Sequence, residues 1–374
     1  MKYDLAIIGG GLAGLALAIQ TAGEGFRTVL FEKEQYPFHR VCGEYISRES
    51  HGFLSRLGLP LDELGLPLLT EFQLSSPAGN ILRSPLKPGG YGISRYMLDQ
   101  RLYLLALQAG VEIRMNTKVD AIHFEAEEFI IETAAQITRA KMAVAAYGKR
   151  SNLDLKMNRP FIRKKPGQLN NYIGVKYHIR INHPKNLIAL HLFNQGYCGI
   201  SAVEEDRYCL CYLTNAANLQ QHGSIEAMEK QVLQKNPLLY ELFREAEFLF
   251  EKPVTIAQVS FDDKSTVEDH ILMTGDSAGL IAPLSGNGMS MALHSSKLAY
   301  EEISAFLRND IPRSTMEQNY HQKWHRHFRR RLGTGKLIQK IFYHPHAADM
   351  LLRIIRPFPG IVQQIIRQTH GDPF

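Results

Sequence analysis

Gly9-Gly10-Gly11-Leu12-Ala13-Gly14 is a G-x-G-x-x-G. That spacing lets a backbone turn tightly and approach a pyrophosphate, while the helix that follows offers its N-terminal N–H groups and partial positive charge. Glu32 stands 18 residues after Gly14, at the end of what reads as the next strand. A carboxylate there suits both hydroxyls of an adenosine ribose and repels a 2′-phosphate. Near the other end of the chain, "ILMTGDSAGLIAPLSGNGMSMAL", residues 271 to 293, places an Asp after a strand and then a Pro and a Gly-x-Gly opening a helix. That is a second loop-to-helix anion site. Between the two, Cys42 sits in "PFHRVCGEY" beside Gly43 and Glu44, with Arg40 two residues before it. Arg40 either meets a phosphate or substrate or is a surface-loop arginine. Glu44 either bonds a cofactor or caps a helix beginning near Ile46. Cys209 and Cys211 share one face of a strand and have no partner Cys/His pair at metal spacing, so no metal site is assigned.

These groups need elements to hold them. "YDLAIIGGGLAGLALAIQTAGEGFRTVLFEK" reads as strand, glycine turn, helix and strand: Tyr3 to Ile8, Leu12 to Ala22, Thr28 to Phe31. "SRYMLDQRLYLLALQAG" is an amphipathic helix with Ser94 as N-cap. Val111 to Met115 returns as a strand, and Ala121–Phe124, Phe129–Thr133 and Lys141–Ala146 follow as a β-meander. From Tyr172 to Thr214, strand-like runs alternate with turns, as in an antiparallel sheet. A helical pair spans Ser224 to Glu247, Thr255 to Phe261 is a further strand, and the chain from about residue 290 to His370 is helical, broken at Pro345, Pro357 and Pro359. The order implies a nucleotide-binding domain of discontinuous pieces with an antiparallel domain inserted between them.

The chain has 374 residues, which suggests more than one core. Its 45% hydrophobic and 21% charged content is that of an ordinary globular protein. Four cysteines without disulfide-framework density suit a reducing compartment such as the cytoplasm. The net charge of +6 is uneven: residues 297–374 carry 13 Lys and Arg against 6 Asp and Glu, the remainder 30 against 31. A basic tail meets nucleic acid, an anionic membrane or only water, and no nucleic-acid motif accompanies it. "HRHFRRR", residues 325–331, is either a solvated helix face or a contact with a membrane surface or acidic partner. The amphipathic "MLLRIIRPFPGIVQQIIRQ" beyond it favours interfaces, or packs as a lid over the inserted domain. No run approaches the ~20 apolar residues of a membrane span.

With these motifs in view, most of the chain resembles the FAD-dependent oxidoreductases of the para-hydroxybenzoate hydroxylase fold, and within them the geranylgeranyl reductase-like branch. The glycine turn resembles the FAD pyrophosphate site, "GDSAGLIAPLSGNGM" the family's second FAD signature, and "PFHRVCGE" the branch's P-x-x-x-x-C-G-E. The resemblance implies an α/β fold: a Rossmann-like FAD-binding domain of parallel sheet and β-meander, an inserted antiparallel substrate domain and a helical C-terminus. It divides the chain into 1–75, 95–165 and 255–300 for FAD, 76–94 and 166–254 for substrate, and 301–374 as the helical region. FAD would contact Gly9, Gly11, Ala13, Gly14, Glu32, Lys33, Arg40, Gly43, Glu44, Arg95, Val119, Gly148, Asp276, Pro283, Gly286, Gly288 and Met289. Asp276 would bond the ribityl chain, and residues 286–289 would face the pyrimidine side of the flavin. Cys42 is the candidate catalytic residue and Tyr197 the candidate substrate contact, unless Tyr197 is only a core tyrosine. Three departures stand out. Tyr147 occupies the place of the family's aspartate, "GYCGISAV" keeps only the tyrosine of a Tyr-Trp-Phe-Pro run, and the W-x-W-x-I-P of flavin halogenases is absent, Trp324 being the sole tryptophan. The expected activity is reduction or dehydrogenation of C=C or C–C bonds in an apolar, isoprenoid- or polyketide-like substrate, with NAD(P)H a transient reductant. Hydroxylation of a small aromatic or polyketide, and a FAD-binding scaffold without turnover, are the alternatives.

Overall fold

The computed structural model describes residues 2–163, 170–281, 286–342 and 345–374. Pro283 lies outside the described residues. Among the described residues, eight strands form one sheet and nine a second. In the first, Ile271–Met273, Ile137–Ala145, Lys2–Ile8, Thr28–Phe31 and Glu112–Arg114 lie side by side and parallel. Val119–Glu125, Glu128–Thr133 and Ile137–Ala145 make the meander. The strand Lys2–Ile8 is buried on both faces along most of its length, which is why it reads as a continuous apolar run. Helix Leu12–Gly23 follows it and packs against helix Arg95–Gln108 and helix Gly288–Leu307. Ser94 caps the second of these, accepting the N–H of Met97 at 3.0 Å.

The second sheet is antiparallel apart from Leu68–Ser75, which runs parallel to Leu187–Phe193. Its strands alternate cleanly. On Leu187–Phe193, Leu187, Ala189 and Phe193 face one core, closed by the helices within 225–245, while Leu190 and Leu192 face another. That second core also holds Tyr197, Leu213, Ala348, Leu352 and Val362, so the C-terminal helices Pro345–Ile355 and Pro359–Thr369 cover this side of the sheet.

The structure departs from the sequence reading in three places. Tyr45–Ser47 does not open a helix; it is a strand paired with Gly90–Gly92 in the second sheet. Leu68–Ser75 and Val254–Val259 also hydrogen-bond within the second sheet, so the expected boundaries at 75 and 255 misplace both strands. The region after 301 is helical as expected, and it joins both cores. Helix Arg313–Phe342 buries Met316, Tyr320, Trp324 and Phe328 in the core of the first sheet, and Tyr320 donates its hydroxyl to Met273 O at 2.6 Å. The basic run 325–331 is therefore not a uniform solvated face. Phe328 is buried, and Arg331 lies 3.5 Å from buried Glu49.

Candidate active site

One cavity of about 1210 Å³ runs between the two sheets. It exceeds the ~300–1,000 Å³ of a pocket for a single drug-sized ligand. Gly9, Gly11, Ala13, Glu32, Lys33, Arg40, Cys42, Gly43, Glu44, Arg95, Val119, Gly148, Tyr197, Asp276, Gly286, Gly288 and Met289 all line it.

At one end lies the glycine turn. Gly9 has φ 107°, and a Cβ there would stand 2.6 Å from Ala146 O. Gly14 does not line the cavity; a Cβ on it would meet Gly9 O at 2.0 Å, so it sets the helix-to-strand approach instead. Helices 12–23 and 288–307 both begin here, and their first N–H groups have no intrahelical partner. Arg95 brings a guanidinium to the turn, 3.8 Å from the position of a Cβ on Gly11. Burial alone would disfavour its charge, but Asp99, bonded through a double contact at 2.7 Å, more than restores it. Turn, helix ends and arginine fit the pyrophosphate of a dinucleotide.

Two assignments at this end are refined. Arg40 is neither a free phosphate clamp nor a loose surface arginine. It bonds Glu32 at 2.9 Å and Asp99 at 3.0 Å, because two buried carboxylates flank it. Glu32 accepts from Gly10 N at 2.9 Å, Glu34 N at 3.1 Å and Arg40. An ionised carboxylate has about four acceptor positions, so one is left for a ribose hydroxyl rather than two.

At the middle, Cys42 faces the cavity with Tyr197 and Cys211. The loop that carries it is tied down on every side. Lys149 Nζ donates to Val41 O at 3.0 Å, Cys209 Sγ to Cys42 O at 3.2 Å, and Ser201 Oγ to Gly43 O at 3.0 Å. Burial pushes the Cys211 thiol up to about 12, so it stays protonated at neutral pH. Glu44 turns the chain with φ 55° and points inward. It caps no helix near Ile46. Its oxygens bond Lys176 Nζ, His178 Nε2 at 2.7 Å and Arg95 N at 2.7 Å. Burial raises a carboxyl, but the Lys176 charge and the His178 hydrogen bond outweigh it and hold Glu44 at about 2. His39, Glu44 and His178 have the types of a metal site, and Lys176 on the same carboxylate opposes a cation there.

Lys176 and His178 carry no role in the sequence reading. The available signal was period two on Tyr172–Arg180: both share a face with Gly174, and a lysine on the buried face of a central strand demands a charged partner. Tyr147 is likewise explained. Its hydroxyl donates to Asp154 at 2.6 Å, and Asp154 holds fully buried Arg159, which reaches Ser277 O at 3.0 Å. The carboxylate that Tyr147 meets comes from seven residues later in the chain. Gly148 N donates to Ser277 Oγ at 3.0 Å, and Lys264 Nζ to Asp276 O at 2.9 Å, so this network fixes the turn carrying Asp276.

Beyond Cys42 the cavity becomes an apolar limb. Phe72, Leu74, Leu82, Leu86, Ile188, Leu190 and Leu213 come from the second sheet, and Leu337, Ile338, Ile341, Leu351, Ile355, Val362 and Ile366 from the C-terminal helices.

Comparison with known proteins matches residues 4–40 to the FAD binding domain. A digeranylgeranylglycerophospholipid reductase of Methanocaldococcus jannaschii is 26% identical over 86% of this chain and 82% of its own. Conditioned medium factor receptor 1 of Dictyostelium discoideum is 24% identical over 86% of this chain and 67% of its own. Among solved structures, a geranylgeranyl bacteriochlorophyll reductase-like protein from Thermoplasma acidophilum superposes with a TM-score of 0.78 at 18% identity, covering 100% of this chain and 96% of its own. A flavin-dependent brominase gives 0.78 at 19%, covering 99% and 93%. Glycine turn, paired helix ends and these likenesses together make this an FAD site, in a chain similar to FAD-dependent oxidoreductases and to their geranylgeranyl reductase-like branch.

Proposed function

We propose that the protein reduces or dehydrogenates C=C or C–C bonds of an apolar, isoprenoid- or polyketide-like substrate, with NAD(P)H visiting as reductant. The observation that carries this reading is the apolar limb, which opens from the cofactor end of the cavity at Cys42. Relatives named as digeranylgeranylglycerophospholipid reductases support it. Bound FAD supplies hydride-transfer chemistry. The chain's residues do the rest. The glycine turn and Arg95 hold the dinucleotide, and the limb buries the hydrocarbon and excludes water. At the junction the Cys42 side chain faces the space in which the substrate bond would lie, and Tyr197 bounds the same space.

The test is anaerobic. Flavoprotein reduced with dithionite under nitrogen is mixed with a geranylgeranyl-bearing lipid. Flavin reoxidation, with a product heavier by one H₂ per double bond, is expected. Turnover only in air, with a hydroxylated product, would overturn it in favour of the monooxygenase reading, which the fold shared with a flavin-dependent brominase keeps in view.

A further inference from the structure

Helix Pro345–Ile355 is apolar on two opposite sides. Ala348 and Leu352 point into the core against the second sheet, and Leu351 and Ile355 line the apolar limb. Met350 and Ile354, one turn apart on the other side, are 63% and 56% exposed, and Phe358 just beyond is 55% exposed. A helix face that stays in water is normally polar; one apolar on both sides needs a second apolar phase. Leu337, on helix Arg313–Phe342, which packs against this helix, lines the limb and is 60% exposed, so the limb reaches the surface at Leu337.

The charge around the patch has one sign. Residues 336–370 contain Lys336, Lys340, Arg353, Arg356 and Arg367 and one acid, Asp349, which Asn80 engages at 3.3 Å. Arg353 and Arg356 are exposed and have no acidic partner among the described residues. Apolar side chains framed by unpaired cations are the pattern of a helix lying in the headgroup region of an anionic bilayer. No helix among the described residues is long and apolar enough to cross a membrane, so the contact is with one leaflet.

We infer that this face, Met350, Ile354 and Phe358 with Arg353 and Arg356, docks on an anionic lipid surface and sets the mouth of the apolar limb at the acyl boundary. A hydrocarbon substrate then passes from bilayer to cavity without crossing water, where exposing its chain is unfavourable. The surface stands on its own geometry whichever reaction the site performs.

Full-length holoprotein is sedimented with vesicles of phosphatidylcholine alone and of phosphatidylcholine mixed with phosphatidylglycerol. The protein is expected to pellet with the mixed vesicles, to do so less with neutral ones, and to be released by salt. The paired substitution Met350→Glu with Ile354→Glu lowers partitioning about tenfold or more. Arg353→Glu with Arg356→Glu lowers it on mixed vesicles only. Both variants lie on the surface and retain bound flavin, which checks the fold. Wild-type protein left in the supernatant with both vesicle types, or binding unchanged in both variants, overturns the inference. So does a solution dimer that Met350→Glu with Ile354→Glu turns into a monomer, because a second copy would then be what covers the face.

Discussion

Glu44 keeps its charge with no water around it, and its surroundings dictate the cost of losing that charge. Lys176 and Glu44 are both fully buried, and His178 nearly so. Removing one member of such a pair leaves the other charge uncompensated, which costs about 3–5 kcal/mol. Glu44→Gln is therefore expected to lower the denaturant midpoint by that order, while adding Lys176→Met restores part of it. If Glu44→Gln unfolded at the wild-type midpoint, the pair would contribute nothing to the fold. The sequence made Cys42 and its neighbourhood conspicuous but did not show what Glu44 bonds. Its partners lie 132 and 134 residues away, and nothing local announces them. Tyr147 has the opposite history: it stood out as a departure, and the carboxylate it touches lies only a helix N-terminus away.

At the scale of elements, the approach of helix Leu12–Gly23 to the first strand depends on one missing methyl group. Gly14→Ala would put a Cβ 2.0 Å from Gly9 O, so the helix must shift off the turn. Purified Gly14→Ala protein is expected to carry little flavin and to melt earlier. Gly23→Ala, in the same helix with nothing within 4 Å of its Cβ, is the control, expected to keep its flavin and to gain about 0.5–1 kcal/mol from helix propensity. Flavin absorbance per protein measures both, and equal flavin content in the two variants would remove the steric argument. Elements with strong local signals were legible: the strands at both ends of the glycine helix, the meander and the capped helix after Ser94. Tyr45–Ser47 was not, since three residues are too few to show alternation and it is a strand only because Gly90–Gly92 lies beside it. Gly90 is itself fixed by that crowding, with a Cβ placed 2.4 Å from Ile46 O. The boundary at 75 left Leu68–Ser75 with the wrong domain for the same reason: a strand's sheet is decided by partners far away in the chain.

For the molecule as a whole, acid acts through buried groups that resist protonation. Burial holds His39 and His191 down at about 4 and His294 at about 3, against an ordinary 6.5. In that interval the unfolded chain binds protons the folded one does not, so stability falls as pH drops from about 6.5 toward 4. Glu44, held at about 2, adds a second decline: its contribution is complete above about 4.5 and is lost as pH falls toward 2. Urea midpoints across this range are expected to fall in two stages, and His191→Gln to flatten the first. A profile flat between pH 7 and 4 would contradict this.

The path of the chain has a consequence of another kind. It leaves the first sheet after Phe31, returns for Glu112–Arg114, leaves again after Ala145 and returns for Val267–Glu268. Neither sheet is one continuous stretch of gene. Exchanging the second sheet between relatives requires grafting 45–92 and 172–259 together, and helix Arg313–Phe342, anchored in the other core, must still fit the graft. The shape of the apolar limb is therefore changed more readily by point substitution within it than by recombination of modules.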